Sequence, residues 1–155
     1  MKVGIIVYSH SGNTLLVTQK LEEALRSAGH AVSIERVEPV NGNPRAPGPV
    51  ELKSAPDVDP YDAIIFASAV QAFSLAPPMK LYLSRIPGLN GKKIYCFVTQ
   101  HFKQQWLGGK RAVRQIAAAC KVKGADVIPG GIVNWSGGSR EKQIDDIVKK
   151  LGAIR

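Results

Sequence analysis

A loop near the start of the sequence has residue types that suit a ligand-binding site. It consists of Ser9, His10, Ser11, Gly12, Asn13 and Thr14. Hydroxyl groups can bond an anion, glycine lets the backbone approach it closely, and the N–H groups at a helix start lack partners within the helix. We therefore predict a phosphate-binding loop. The same residue types also suit an ordinary strand-to-helix turn, so the loop by itself leaves both interpretations open.

The spacing within this loop differs from two common nucleotide-binding motifs. It has no lysine or arginine, so it does not match the GxxxxGK[ST] motif of nucleoside-triphosphate hydrolysis, and it lacks the GxGxxG spacing of a dinucleotide fold. A terminal monophosphate fits the loop best. We predict no metal site, because the three histidines of the chain stand apart from one another and from cysteines and carboxylates.

Two further classes of protein conflict with the sequence. A hydrolase needs a nucleophile motif such as GxSxG, which residues 136–139 (SGGS) do not match. A phosphoryl-accepting receiver domain needs an acidic pair after the first strand, where this sequence has Tyr8 and Ser9. We therefore assign no catalytic residue.

The elements that must position this loop follow from the hydrophobic pattern. Five segments rich in valine and isoleucine have the length of strands buried on both faces, at residues 3–8, 31–37, 63–70, 94–99 and 127–133. Four segments with helical periodicity lie between or after them, at residues 13–28, 78–86, 109–122 and 139–151. This alternation predicts an α/β fold in which helices cover both faces of a parallel sheet.

Residues 38–60 interrupt the alternation. They include six of the ten prolines of the chain, together with two glycines and two asparagines, and so cannot form one regular helix. We predict a long proline-rich surface loop over residues 39–60, with one turn near residues 50–54.

Length and composition predict a single domain over residues 1–155, since 45% of the residues are hydrophobic. The sequence lacks a secretion signal and any apolar run of the ~20 residues that a membrane span needs, which predicts a soluble cytoplasmic protein with no membrane partner. Cys96 and Cys120 form no CxxC pair, and we expect both to be buried, reduced thiols.

Three stretches of the sequence resemble the flavodoxin family. IVYSHSGNT (residues 6–14) resembles its phosphate-binding signature, DAIIFASAVQAFSLAPPMKLYL (residues 62–83) is similar to its second flavin loop with the helix that follows, and KKIYCFVTQHFKQQWLGG (residues 92–109) is similar to its third loop. The similar segments occur in the order that the fold requires. The resemblance implies a flavodoxin-like three-layer sandwich of the short-chain form, with a five-stranded parallel sheet in the order 2-1-3-4-5.

The resemblance also implies a non-covalently bound flavin mononucleotide (FMN). Its phosphate would lie on the first loop and its isoalloxazine ring between the second and third loops. The residues that the resemblance assigns to FMN are Ser9, His10, Ser11, Gly12, Asn13 and Thr14 in the first loop, Ser68, Ala69, Val70, Gln71, Ala72 and Phe73 in the second, and Thr99, Gln100, His101, Phe102, Trp106 and Gly108 in the third. For His10, a solvent-facing loop position without a phosphate contact is the alternative.

The aromatic residues near the predicted ring depart from the family pattern. Many relatives have Pro-Val-Tyr where residues 69–71 are Ala-Val-Gln, so the resemblance supplies no stacking tyrosine there. Phe73, Phe102 and Trp106 remain, and stacking on a flat ring adds on the order of 1 kcal/mol to simple burial. We expect Trp106 to stack on the ring, with ordinary packing under a loop as the alternative for each of the three.

Charge is distributed unevenly along the chain. Residues 1–62 contain six Lys or Arg and eight Asp or Glu, whereas residues 63–155 contain fifteen and four, and residues 63–125 contain ten basic and no acidic residues. The implied topology brings five of these cations together: Lys80, Arg85, Lys110, Arg111 and Arg114. Such a surface would attract an acidic partner, while nucleic acid is less favoured because no binding motif is present. A merely solvated basic surface is the alternative.

Two functions of an FMN protein fit the sequence. We favour a carrier that transfers electrons between proteins, with an acidic redox protein as partner. The alternative is an NAD(P)H-dependent FMN quinone reductase or related oxidoreductase. The pair Gly108-Gly109 is similar to a feature of the quinone-reductase relatives, although no separate nicotinamide-binding domain is evident. A third interpretation is a binding module that has the fold and no flavin.

Overall fold

A computed structural model gives the structure of the protein and describes residues 1–102 and 108–155. The strands are β1 (Lys2–Tyr8), β2 (Ala31–Arg36), β3 (Glu38–Pro39), β4 (Leu52–Ser54), β5 (Ala63–Gln71), β6 (Ser74–Leu75), β7 (Lys93–Gln100) and β8 (Val127–Asn134). The helices are α1 (Asn13–Ser27), α2 (Pro77–Arg85), α3 (Gly109–Val122) and α4 (Arg140–Gly152). The five long strands and four helices each lie within one residue, at either end, of the predicted bounds.

The main sheet has the order β2-β1-β5-β7-β8, and all of these strands are parallel. Counted over the five long strands, this is the predicted order 2-1-3-4-5, and the α/β prediction is confirmed. The short strand β6 pairs antiparallel with the end of β5 and forms a hairpin there. Because the long strands are parallel, the loops after β1, β5 and β7 meet at the same edge of the sheet.

Two apolar cores lie on opposite faces of this sheet, because successive side chains of a strand point to opposite sides. Ile6 of β1 packs in the core beneath α2 and α3, whereas Ile5 and Val7 pack in the core beneath α1 and α4. Helices therefore cover both faces. The three layers hold the carboxyl ends of β1, β5 and β7 in fixed register.

The two edge strands are less buried than predicted. Ile128 of β8 is 53% exposed, and Ala31 and Ser33 of β2 are exposed. An edge strand lacks a neighbour on one side, so the helices that pack on the sheet cover it less completely.

The proline-rich segment is more ordered than a plain loop. Glu38 pairs with Ser54, and Pro39 with Leu52, so that β3 and β4 form a small antiparallel sheet. The predicted turn near residues 50–54 is therefore wrong, since residues 52–54 are extended. Leu52 packs against the core beneath α2 and α3, which anchors the returning strand.

The two cysteines are buried, as predicted, and burial raises the pKa of each thiol to about 12. We expect iodoacetamide at pH 8 to leave both thiols of the folded protein unmodified and to label both rapidly in denaturant, because the thiolate is the reactive form. Each thiol has a higher pKa in the folded state than its unfolded value of about 8.5, so deprotonation of the thiols at high pH disfavours folding. The stability of the fold is therefore unaffected by these thiols below about pH 8.5 and falls as pH rises toward 12. Native labelling at pH 8, followed by mass spectrometry, would contradict the prediction.

Among the described residues, no helix is both long and apolar enough to cross a membrane. The same part of the chain contains no group of three or more His, Cys, Asp or Glu side chains arranged to hold a metal ion.

Candidate functional site

The first loop connects β1 to α1 and is organised around two serine hydroxyls. Ser9 is buried, and its Oγ accepts the N–H of Gly12 at 3.1 Å and the N–H of Leu15 at 3.3 Å. Ser11 Oγ accepts the N–H of Asn13 at 3.4 Å. These bonds satisfy three of the four N–H groups that begin α1, as the turn interpretation of this loop predicts.

The loop nevertheless keeps donors that suit an anion. Ser9 and Ser11 accept N–H groups, so their own hydroxyl hydrogens remain to be donated. In the described part of the chain, the N–H of Thr14 has no acceptor. Gly12 lies at φ +93°, and a Cβ placed on it would meet no atom within 4 Å. The exposed rim at His10, Ser11 and Gly12 is therefore open to a ligand.

Thr14 has a different position from its neighbours in the loop. Its side chain is buried, and its Oγ1 lies 2.7 Å from Thr99 Oγ1 at the end of β7. One hydroxyl donates to the other, so Thr14 connects the first loop to the strand that precedes the third loop. The side chain of Thr14 thus joins two loops instead of facing the rim.

Arg36 supports the first loop from β2 and was not predicted. Its Nη2 donates to the carbonyl oxygen of Ser9 at 3.1 Å, and its Nε lies 4.0 Å from Glu38 Oε1. The contact places a cation behind a loop that has none of its own. The signal available in the sequence was a basic residue at the end of the predicted strand next to β1.

The second loop is a tight hairpin between β5 and β6. Val70 pairs with Leu75, and Gln71 with Ser74, which leaves Ala72 and Phe73 as the two turn residues. Both have positive φ, at 51° and 59°. A two-residue turn of this kind favours glycine or asparagine, and each non-glycine residue in this conformation costs on the order of 1–2 kcal/mol. The second loop is therefore strained.

Gln115 of α3 and Gly108, the residue that precedes α3, hold this strained loop. Gln115 Oε1 accepts the N–H of Leu75 at 2.8 Å and the hydroxyl of Ser74 at 3.0 Å. At Gly108, φ is +114°, and a Cβ would lie 2.7 Å from the backbone of Phe73 and from the side chain of Val70. Only glycine permits this approach. Gln115 is a second supporting residue that the sequence analysis missed.

The third loop begins at the buried residues Thr99 and Gln100 and emerges at His101 and Phe102. Gln100 Nε2 donates to the carbonyl oxygen of Phe102 at 3.3 Å and to Asn134 Oδ1. Asn134, at the end of β8, is also buried and was not predicted. The start of the third loop is thus anchored on β8.

Exposed aromatic side chains of the second and third loops meet. Phe73 and Phe102 are 51% and 43% exposed, and their rings stack with centroids 5.4 Å apart at 15°. His101 contacts Phe102 edge to face at 5.7 Å. An exposed, flat aromatic surface therefore lies between the two loops. Trp106, predicted to stack on the ring, lies outside the described residues.

The predicted residues in the described part of the chain lie at or beside this edge of the sheet, but not all of their side chains face a ligand. Ser68 is fully buried within β5, and its hydroxyl donates to the carbonyl oxygen of Ala69 at 2.9 Å. Its side chain is separated from solvent. A direct contact between the Ser68 hydroxyl and a ligand is therefore not available in this structure.

The five predicted cations lie on neighbouring helices, because α2 and α3 pack against each other. All five are exposed: Lys80, Arg85, Lys110, Arg111 and Arg114. None of the ion pairs within the described residues includes any of them. Their positive charge is thus not offset by an adjacent carboxylate.

No protein-family profile and no curated protein sequence matches this chain. Solved structures do match. Flavodoxin 2 from Bacillus cereus has a TM-score of 0.72 at 20% identity, with 97% of this chain and 95% of that chain covered. A Streptococcus pneumoniae flavodoxin has a TM-score of 0.70 at 16% identity, with 97% and 95% covered. An archaeal flavodoxin has a TM-score of 0.68 at 16% identity, with 98% and 94% covered.

These similarities cover almost the full length of each protein. At such low identity they establish the fold, and the chain therefore has the flavodoxin-like fold that its sequence predicts.

Proposed function

We propose that this chain binds FMN non-covalently and carries electrons between redox partners. The observation that carries the proposal is the meeting of three loops at one edge of a flavodoxin-like sheet. One loop keeps free donors at a helix start, and the other two present a flat aromatic surface. A phosphate and an aromatic ring are the two ends of FMN.

The first loop supplies the features that a phosphate needs. The helix start favours negative charge, the hydroxyl hydrogens of Ser9 and Ser11 remain to be donated, and Gly12 leaves room for close approach. Bound FMN would supply the redox chemistry, accepting and releasing electrons one or two at a time. The residues of this chain would hold it and limit its contact with water.

The second and third loops supply contacts for the ring. The Phe73 and Phe102 rings stack on each other, so a flavin would either extend this stack or separate the two rings. In both cases it would gain aromatic contact and cover apolar surface that is now exposed. The hairpin held by Gln115 and Gly108 would fix backbone groups beside the ring.

An acidic redox protein is the partner that the charges favour. Lys110 and Arg111 directly follow Gly108 at the start of α3, and together with the other unpaired cations of α2 and α3 they would attract an acidic surface toward the flavin. We further propose that residues 1–155 act as one domain in the cytoplasm.

Removing a phosphate donor tests the binding mode. We expect Ser11→Ala to weaken FMN by about 3- to 10-fold, because one hydrogen bond to the phosphate is lost, and to leave riboflavin affinity unchanged. Stability should change by less than about 0.5 kcal/mol, since Ser11 is exposed and makes one long bond. Fluorescence titration of the apoprotein measures both affinities.

Equal wild-type affinities for FMN and riboflavin would contradict the phosphate assignment.

The carrier and oxidoreductase functions differ in their response to nicotinamide. Under anaerobic conditions the FMN-loaded protein should remain oxidised when mixed with NADH or NADPH, and should bleach when a partner reductase is added. Rapid direct bleaching with turnover of a quinone would instead establish the oxidoreductase.

A further inference from the structure

A cavity next to the second loop lies beneath the proline-rich segment of residues 39–51. Its volume is about 220 Å³, and its opposite wall contains Tyr8, Gln71 and the start of α2. We refer to it as the proline cleft, because six prolines line it: Pro39, Pro44, Pro47, Pro49, Pro77 and Pro78. Proline rings are apolar and their backbone is conformationally fixed, so they form flat walls that lose little entropy when a ligand binds.

Two hydrogen-bond donors lie side by side in the proline cleft. Gln71 Nε2 donates one hydrogen to the Tyr8 hydroxyl oxygen at 2.9 Å. Within the described residues, neither the Tyr8 hydroxyl hydrogen nor the second Nε2 hydrogen has an acceptor. Burial raises the pKa of Tyr8, so its hydroxyl keeps its hydrogen at neutral pH. Two adjacent donors suit one acceptor oxygen of a ligand.

The charge of the lining favours an uncharged ligand. The lining includes no lysine, arginine or histidine that would compensate an anion, and its one carboxylate, Glu51, is exposed. The volume limits the ligand to one or two fused rings.

We propose that the proline cleft binds a small, flat, uncharged aromatic molecule that carries a carbonyl oxygen. Its ring lies against the prolines, and its oxygen accepts hydrogen bonds from Tyr8 and Gln71. This site lies beside the proposed FMN site, shares Gln71 with the residues assigned to FMN, and does not require FMN. Because Gln71 also belongs to the hairpin that carries Phe73, the occupant lies beside the second loop.

Coumarin and indene form a pair of probes for this site. Both are flat bicyclic molecules, and only coumarin has a carbonyl oxygen. We titrate each into the full ¹⁵N-labelled chain, with and without FMN, and follow the amide spectrum by NMR. Saturable shifts are expected at Tyr8, Gln71 and Val50, which line the cleft, in both states of the protein.

Variants distinguish the contribution of the two hydrogen-bond donors to affinity from that of the apolar walls. Tyr8→Phe and Gln71→Leu should each weaken coumarin about 3- to 10-fold and leave indene affinity unchanged, because only coumarin loses a hydrogen bond. Retained indene binding also shows that the cleft of each variant is intact. Gln19→Leu, at an exposed position of α1, is the matched control and should bind both probes as the wild type does.

Three results would overturn the proposal. They are an absence of saturable shifts at the cleft, shifts confined to Phe73, His101 and Phe102, or equal coumarin affinity for wild type and both variants. Failure of FMN binding with coumarin binding retained would refute the proposed function and leave this site standing.

Discussion

Replacing Gly108 with alanine is expected to lower the free energy of unfolding by about 2–4 kcal/mol and to weaken FMN at least about tenfold. Two effects combine at this residue. Its φ of +114° disfavours any side chain, and its Cβ would lie 2.7 Å from the backbone of Phe73 and from Val70. The hairpin must move away from α3 to remove the clash. That movement displaces the backbone groups that would lie beside the flavin.

Gly29→Ala is the matched control for this change. Gly29 has a similar φ of +94°, and a Cβ there would meet nothing within 4 Å. It therefore reports the backbone strain without the clash, and we expect a loss of about 1 kcal/mol with no effect on FMN. Chemical denaturation and FMN titration of both variants give the comparison. Equal destabilisation and unchanged FMN affinity would show that the approach of α3 to the second loop has no role in binding.

The sequence predicted the sheet because its strands carry strong local signals. Residues 63–70 and 94–99 are largely apolar runs at interior positions of the predicted sheet, and both are fully or largely buried. Helical periodicity between such runs leaves few alternatives to a parallel sheet with helices on both faces. The loop after β1 could be predicted equally well from the sequence, since its residues are contiguous and all lie at the end of one strand.

Residues that support the loops were missed because their partners are distant in sequence. Arg36 bonds Ser9 across 27 positions, Gln115 bonds Leu75 across 40, and Gln100 bonds Asn134 across 34. Such contacts leave no local pattern, because they depend on the register of neighbouring strands and helices. The geometry of Thr14 was missed for the same reason, since its bond to Thr99 spans 85 positions.

The proline-rich segment and the second loop show a different limit. Prolines correctly excluded a helix over residues 38–60, yet they did not exclude an edge pairing, where a missing N–H costs little. Ala72 and Phe73 adopt positive φ without glycine, because the hairpin register and the contacts from α3 determine the turn. Local preference was overridden by tertiary contacts in both segments.

Reversing the charge of the basic surface should have the second large effect. We expect the combined change Lys110→Glu, Arg111→Glu and Arg114→Glu to lower the potential at which bound FMN becomes fully reduced. Full reduction adds negative charge, which nearby cations stabilise. A unit charge ~12 Å away contributes roughly 0.5 kcal/mol, or on the order of 20 mV, at an effective dielectric constant of ~50, and this change alters six units of charge. The shift should approach ~100 mV at low salt.

The same variant should transfer electrons to an acidic redox protein at least about tenfold more slowly at low ionic strength, because steering toward the cations is lost. Lys20→Glu, Lys142→Glu and Lys149→Glu together provide the control, with the same net change at exposed positions of α1 and α4 on the opposite face of the sheet. Potentiometry and stopped-flow kinetics at increasing salt measure both effects, and each should diminish as salt rises. If the two triple variants behave alike, the net charge of the whole protein determines the potential and the transfer rate. The basic surface on α2 and α3 then has no specific role in docking. An unchanged potential and a transfer rate independent of salt in the first variant would mean that this surface is simply solvated.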